Sequence, residues 1–451
     1  MPDALYTNLH AVFHDLVSQL ATCTPTENGL VRVEAPLEPV SPLAWLRAQP
    51  HLAQYYWADR NGAFEMAGVG EADVCAPDES RDLAGVFDYM RERLSPDQPS
   101  LRYYGGFRFD TAHAKTERWQ KFVGYRFVAP RFQVLRRGEK YFAACSAAPQ
   151  KDLSDPSHLI DHLAQLNFTP ALPSPAPHIL HRTDNPDRPT WSRLVNLALE
   201  AMESGDLEKV VLARESTFTA DAPFDAAGLL EQLLAHTASA FAFCFHPGPG
   251  RAFIGASPER LFKRANVHVQ SEALAGTRPR GQDDAGDAAL AHALLHSGKD
   301  LREHAFVVGM VRQNLERLCD AVNVEETPAL MRLRHLQHLY TRIEGVLHDN
   351  ECDHALIAAL HPTPAVGGVP REAALAWLRE HEPFDRGIYA APVGWVGFDA
   401  AEFCVAIRSG LIQGNTLALY TGAGIVPGSD PSEEWAEIET KLADFLEVLT
   451  G

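Results

Sequence analysis

Two charged residues stand in apolar surroundings that put their ordinary protonation states in question. Lys209 opens the run "KVVLAR", and Glu259 follows a Ser-Pro bend in "GASPERLF". Burial disfavours charge, so it lowers an ammonium toward a usable base and raises a carboxyl so that it stays protonated as an acid. A lowered lysine and a raised glutamate make an acid–base pair. The same residues also fit a lysine snorkelling at a strand edge and a glutamate capping a turn. Two acidic pairs follow a helical spacing: Asp300 and Glu303 in "KDLREH", Glu434 and Glu437 in "GSDPSEEWAEIETK". At i, i+3 both carboxylates of a pair can project from one helix face. Two helices each presenting such a pair suit a hard, oxygen-seeking cation such as Mg2+, which binds few carboxylates and keeps waters for a ligand to displace. Acidic pairs at this spacing are also common on solvated faces.

The elements that must carry these residues are legible around them. Asp430 is an N-cap, Pro431 suits the first helical position, and Glu433 complements the helix dipole. At 100° per residue Glu434, Glu437 and Lys441 share one side of this helix, and Trp435, Ile438, Leu442, Phe445 and Leu449 form an apolar stripe along it. Glu439 falls to solvent. "WSRLVNLALEAMESGD" predicts a helix ending at Gly205, and "LEKVVLARESTFTA" predicts a strand. "AFAFCFHPGPGRAFIGASPERLFKR" reads as a hairpin turning at "HPGPG", and "VHVQSEALAGTRPRG" as a strand running into a glycine-containing loop. "DLREHAFVVGMVRQNLERL" is amphipathic at helical spacing. "IYAAPVGWVGF", "AEFCVAIRSGLI" and "TLALYTGAGIV" predict three successive strands. Short strands with no helix between them favour antiparallel pairing, so the fold class is α+β rather than a doubly wound parallel sheet.

Thr169 to Thr190, "TPALPSPAPHILHRTDNPDRPT", is dense in proline and loses periodicity. It divides an N-terminal half (1–168) from a C-terminal region (191–451) through a Pro-rich connection (169–190). The 451 residues are 46% hydrophobic and 22% charged, the composition of a globular protein. A net charge of −19 leaves no basic surplus to neutralise phosphates, which speaks against nucleic acid. An anionic ligand therefore needs a local island of Lys, Arg or bound metal. The seven scattered cysteines lack any CxxC pair and fit reduced thiols in the cytoplasm. No signal peptide or membrane-spanning run is expected. No Walker A sequence, GxGxxG turn or GxSxG elbow occurs. His348, Cys352 and His354 in "HDNECDH" offer a transition-metal set without an evident fourth ligand. His335 and His338 read, alone, as packed or surface histidines.

The motifs in combination carry a resemblance. "EKVVLAR", "GASPERLF", "EALAGTRPRG", "KDLREHAFVV", "LHPTPAVGGVP", "IYAAPVGWVG", "AIRSG" and "YTGAGIVPGSDPSEEWAEIETK" occur in the order seen in the chorismate-utilising enzymes. That family includes isochorismate, salicylate, anthranilate and aminodeoxychorismate synthases. The motifs span about residues 190 to 450. The N-terminal half, with "PLAWLRAQPHLAQYYWADRNG" and "LRYYGGFRFD", more loosely resembles the menaquinone-type isochorismate synthases. The resemblance implies large, mostly antiparallel sheets packed face to face with helices outside.

It also implies roles. Lys209 resembles the base that activates water and Glu259 the acid that protonates the departing C4 hydroxyl. Glu303 and Glu437 resemble direct Mg2+ ligands, with Asp300 and Glu434 as water-linked partners. His338 matches a histidine near the substrate ring. Tyr389, Arg408 and Lys441 resemble groups that hold the substrate carboxylates, with backbone N–H groups around Gly276, Thr277, Gly422 and Gly424. Chorismate carries two carboxylates and no phosphate, which suits one cation and one guanidinium or ammonium. Ala365 in "HPTPAVGG" stands where ammonia-using members and salicylate synthases have threonine, which favours water as nucleophile and isochorismate as product. Menaquinone formation is the expected use. Neither a redox cofactor nor a glutaminase partner is expected, and the chain is expected to be a monomer or weak homo-oligomer.

Overall fold

The computed structural model of the protein describes residues 2–450 apart from 24–28, 79, 113–115, 123, 170, 172–173, 175–176, 238 and 350–351. The N-terminal half supplies β1 (Val31–Leu37), β2 (Gln54–Ala58), β3 (Phe64–Cys75), β4 (Tyr103–Phe107), β5 (Tyr125–Arg137) and β6 (Lys140–Ala147). There follow β7 (Ile179–Asn185), β8 (Lys209–Ala220), β9 (Phe241–His246), β10 (Arg251–Ser257), β11 (Arg260–Ala265) and β12 (His268–Pro279). Next come β13 (Cys319–Val324), β14 (Ala329–Arg332), β15 (Leu336–Leu347) and β16 (Gly368–Val369). The last strands are β17 (Pro392–Val396), β18 (Ala400–Val405), β19 (Ser409–Gln413) and β20 (Thr416–Ile425). The helices are α1 (Pro2–Leu20), α2 (Pro42–Arg47), α3 (Leu83–Arg91), α4 (Ser157–Ala164), α5 (Arg188–Glu203) and α6 (Ala226–His236). They continue with α7 (Asp284–His296), α8 (Gly298–Leu315), α9 (Asp353–Leu360), α10 (Arg371–His381), α11 (Pro431–Lys441) and α12 (Ala443–Thr450).

Among the described residues all the pairings are antiparallel and make one continuous ribbon. It runs β7–β8–β20–β19–β10–β9–β2–β3–β5. From β5 one arm continues to β6 and β1, and the other through β4, β17, β18, β11, β12 and β15. The two halves of the chain therefore share a sheet twice, at β2–β9 and at β4–β17. The ribbon folds back so that its two arms face each other. One buried cluster unites Leu212, Ala213 and Tyr420 of one arm with Val269, Ala273, Val393 and Phe403 of the other. Helices cover the outside: α1, α2, α6 and α12 send Phe13, Trp45, Leu230 and Phe445 into a second cluster behind Ile254 and Leu419.

Four sequence expectations need revision. Part of the Pro-rich connection lies outside the described residues, and its second half is the strand β7, paired with β8 from Ile179 to Asn185. Gly276 is not in a loop after β12. It lies inside that strand, at φ +75°, where the register with β15 slips between Ala275 and Thr277. A β-bulge of this kind needs the left-handed conformation that glycine adopts without cost. The three predicted C-terminal strands are four: "AEFCVAIRSGLI" breaks at Ala406–Arg408, so that β18 pairs with β11 and β17 while β19 pairs with β10 and β20. Periodicity cannot reveal that a strand changes partners. The C-terminal helix likewise breaks at Leu442, where α11 ends against one cluster through Ile438 and α12 begins packing into the other through Phe445.

No disulfide joins any of the described cysteines, and no helix among the described residues is long and apolar enough to cross a membrane. His348 pairs with Asp320 at 2.7 Å, whereas Cys352 touches His354. The "HDNECDH" segment thus gathers no three-ligand set among the described residues, and 350–351 lie outside them.

Candidate active site

Lys209 is the first residue of β8, a strand buried on both faces, and only 1% of it is exposed. The two-residue strand β16 pairs Gly368 with Val210 and Val369 with Lys209, which brings the "HPTPAVGG" loop against Lys209's strand. Across from it, Ser297 caps α8 by accepting from the Asp300 N–H at 3.2 Å, so Asp300 sits in the first turn and Glu303 one turn on. Lys209 Nζ donates to Glu303 Oε1 at 2.8 Å. Burial works to raise the Glu303 carboxyl, but Lys209, then Lys441 and Lys299, carry it below its ordinary value.

Gly424 of β20 lets these two side chains meet beneath the strand. A Cβ there would stand 2.9 Å from Glu303 Oε1 and 3.0 Å from Lys209 Cε. Gly424→Ala is therefore expected to lower kcat by about a hundredfold, the scale of a 1 Å misplacement of reacting groups. The variant should still fold cooperatively, and steady-state kinetics beside thermal unfolding checks both parts.

Glu259 lies in the short link between β10 and β11, where the chain crosses from one arm to the other, and is 3% exposed. Its carboxyl is raised to about 8 by burial, then by the charge of Glu272, against the opposing pull of Lys209 and Lys441. At neutral pH it holds its proton, as the sequence leads one to expect of a buried glutamate.

A cavity of about 100 Å3 opens between the arms, and its wall contains both Glu259 and Glu303. Gly276, Thr277, His338 and Ala365 line it from one side of the motif set. Tyr389, Arg408, Gly422, Gly424, Glu437 and Lys441 also line it. Lys209, Asp300 and Glu434 are not in the wall; each stands behind it. His338 is buried, and burial, with Arg408 and Lys441 nearby, pushes its imidazole well below its usual value, so it is neutral. Thr277 Oγ1 lies 3.0 Å from its Nδ1. Burial raises the Tyr389 phenol, which stays a donor.

Arg408 occupies the break between β18 and β19 at φ +50°. A non-glycine residue in this conformation persists only where its surroundings hold it. Here the Ala256 N–H binds the Arg408 carbonyl at 3.1 Å, and Ala406 exchanges backbone hydrogen bonds with Ala390 and Ala391. Its guanidinium donates to Asp444 at 3.1 Å. Lys441, at the end of α11, donates to the Gly422 carbonyl at 2.9 Å and pairs with Glu437 at 2.7 Å.

Each of the four carboxylates expected to serve a metal carries a cationic neighbour. Glu303 has Lys209, Asp300 has Arg278 at 2.7 Å, Glu437 has Lys441, and Glu434 lies 3.8 Å from Lys299. Among the described residues no three ligating side chains already form a cage. The donor chemistry nevertheless suits a hard cation: all four are oxygen donors from two helices. Burial and then the charge of Glu437 raise the Glu434 carboxyl, against the opposing pull of Ser429, Lys299 and Lys441.

Three features escaped the sequence reading. Glu439 is not a free surface charge: half-buried, it joins buried Arg214 at 2.6 Å and Arg182 at 2.6 Å, which with Trp435 under the Arg214 guanidinium ties α11 to β7 and β8. Asp444 was legible only as a carboxylate one turn beyond Lys441. Thr421 gave no signal beyond its place in "YTGAG"; its Oγ1 is buried without a hydrogen-bond partner, in a residue that lines the cavity.

The comparisons agree with this geometry. A family model described as chorismate binding enzyme matches residues 16–450. The chloroplastic isochorismate synthase of Catharanthus roseus is 33% identical over 490 aligned positions, covering 96% of this chain and 83% of that one. The salicylate biosynthesis isochorismate synthase of Pseudomonas aeruginosa is 37% identical over 410, covering 89% and 84%. Among solved structures, MenF, the menaquinone-specific isochorismate synthase of Escherichia coli, superposes with a TM-score of 0.87 at 30% identity, over 98% of this chain and 99% of that one. A matched family model over nearly the whole length and relatives above 30% identity have one meaning: the chain belongs to the chorismate-binding enzymes.

Proposed function

We propose that this protein is an isochorismate synthase that converts chorismate reversibly to isochorismate. The observation that carries the reading is a cavity whose wall holds a carboxyl kept protonated to about pH 8, with a buried lysine directly behind that wall. Lys209, once it has given up its own proton, takes one from water as the water oxygen bonds to C2. The C1–C2 double bond shifts to C1–C6 and the C5–C6 double bond to C4–C5, and the C4–O bond breaks. Glu259 gives its proton to the departing oxygen, which leaves as water. One water enters and one leaves, so the atoms balance without a redox partner. Arg408 and Lys441 offer positive charge to substrate carboxylates, Tyr389 offers a phenolic donor, and neutral His338 packs beside the ring.

The fitting cofactor is Mg2+, held by Glu303 and Glu437 with Asp300 and Glu434 through water. When bound it would neutralise a ring carboxylate and stabilise charge developing there. It would compete with Lys209 and Lys441 for the same carboxylates. Glu303→Gln and Glu437→Gln are each expected to raise the Mg2+ concentration for half-maximal rate by at least about tenfold. Unchanged metal titrations in both variants would remove these helices from the metal site.

Several relatives are named isochorismate synthase, including the Pseudomonas aeruginosa protein of salicylate biosynthesis, which favours isochorismate over salicylate as the direct product. We assign the product to menaquinone formation, as with the Escherichia coli enzyme. A reduced cytoplasmic setting and action without a glutaminase subunit belong to the same proposal. Product analysis of chorismate plus Mg2+, with and without ammonia, decides. Isochorismate alone is expected. Salicylate with pyruvate, or an amino-aromatic product, would overturn it.

A further inference from the structure

Arg60 belongs to the N-terminal half, in the turn between β2 and β3, far in sequence from every catalytic motif. Its side chain is nonetheless buried, and it forms a two-pronged ion pair with Glu272 of β12, whose side chain is fully buried. Nη1 reaches Glu272 Oε1 at 2.6 Å and Nη2 reaches Oε2 at 2.9 Å. The pair makes two further hydrogen bonds to this link, and Arg260 Nη1 stands 3.7 Å from Glu272 Oε2. Arg60 Nη1 donates to the Pro258 carbonyl at 2.7 Å, and Glu272 Oε1 accepts from the Arg260 N–H at 2.7 Å. Pro258 and Arg260 are the residues on either side of Glu259. The remaining backbone groups of that link are also engaged. The Glu259 N–H binds Ser257 Oγ at 3.3 Å, and the Glu259 carbonyl accepts from the Val405 N–H at 3.0 Å. The Arg60 and Arg260 guanidiniums both lie over the Phe241 ring at 5.4 Å.

We propose that the Arg60–Glu272 pair is a positioning unit for the general acid, through which the N-terminal half grips the chain on both sides of Glu259. A planar fork suits the task because one guanidinium can bind a carboxylate in parallel and still donate to a carbonyl. The inference rests on the reading of Glu259 as the acid. A second consequence is electrostatic. Glu272 also faces Glu259 as a charge, together with Lys209 from β8 and Lys441 from α11, while Tyr389 and Cys404 lie within its field. Of the charged groups that shift Glu259, Glu272 alone favours its protonated form.

Removing Arg60 alone would leave the buried Glu272 charge with only Arg260, at 3.7 Å, as an ion-pair partner, which can unfold a protein for reasons unrelated to catalysis. The test therefore uses R60M/E272Q, which removes both charges and keeps similar side-chain volumes, beside R60K and E259Q, in the full chain with chorismate and Mg2+. The double variant is expected to lose about tenfold to a hundredfold in kcat with KM for chorismate within about threefold. The inflection near pH 8 in its rate profile should move to lower pH. R60K, which keeps the charge but loses the fork, should fall between it and the wild type, and it carries the test if the double variant does not fold. Wild-type kcat with an unmoved inflection overturns the proposal. So does a loss in which kcat and KM worsen together while the inflection stays, because that marks a purely structural pair. If E259Q is fully active, the acid assignment itself fails. If E259Q is inactive and R60M/E272Q behaves as wild type, only the positioning role fails.

Discussion

Lys209→Ala is expected to lower kcat for isochorismate formation by about 10²- to 10⁴-fold, the contribution of a positioned general base. Lys209 is almost completely buried, and Glu303 is its ion-pair partner. Glu303 keeps a fifth of its side chain exposed, so water can reach it when the lysine is gone. The fold should survive, and far-ultraviolet circular dichroism with thermal unfolding checks this. Loss of activity alone does not separate a base from a charge partner. Lys209→Arg does, because a guanidinium keeps the ion pair but does not give up a proton in proteins. If Lys209→Arg turns over as the wild type does, the base lies elsewhere. Near-complete loss in both variants, in protein that still binds chorismate, is the expected pattern.

The second large effect concerns Glu259. Glu259→Gln is expected to reduce kcat by about 10²- to 10⁴-fold, since the amide cannot protonate the departing hydroxyl. A pH measurement on the metal-free protein tests the same residue without reference to turnover. Folded Glu259 holds its proton up to about pH 8, whereas an ordinary glutamate releases it near 4.5. Between those values the folded state binds more protons than the unfolded one, so this residue makes stability fall as pH rises. Glutamine has no such proton. The stability of Glu259→Gln relative to wild type should therefore climb from pH 4.5 to 8, with little relative change below that window. A parallel pair of stability curves would mean that Glu259 titrates normally and is no reservoir for an acid.

Much of the site was legible because its motifs are local. Asp430 before Pro431 starts α11 on side-chain hydrogen bonds from its own next residues, and the acidic pairs take their common face from helical geometry. The apolar strand on the N-terminal side of Glu259 pointed to its burial, although the shift itself comes from that burial and from Glu272 thirteen positions on. Strand boundaries were less legible. The Ala406–Arg408 break and the Gly276 bulge depend on which strands stand on each side, and an apolar run reads the same whether it keeps one partner or changes it.

The sequence by itself determined the chemical types: a lysine and a glutamate in apolar company, two carboxylate pairs, cations for an anionic ligand, and a motif order that identifies the family. Only the tertiary structure decided how they are used. It put Glu303 on Lys209 across 94 positions, turned Glu439 from a solvated charge into the anchor of Arg214, and placed Arg60 beside Glu259 through a partner 212 positions away. The reason is physical. Helix periodicity and capping act over a few residues, so they can be read along the chain. Burial, ion pairing and the desolvation that shifts a carboxyl depend on which distant surfaces close over a group, and in this protein that closure is made by a ribbon folding back on itself.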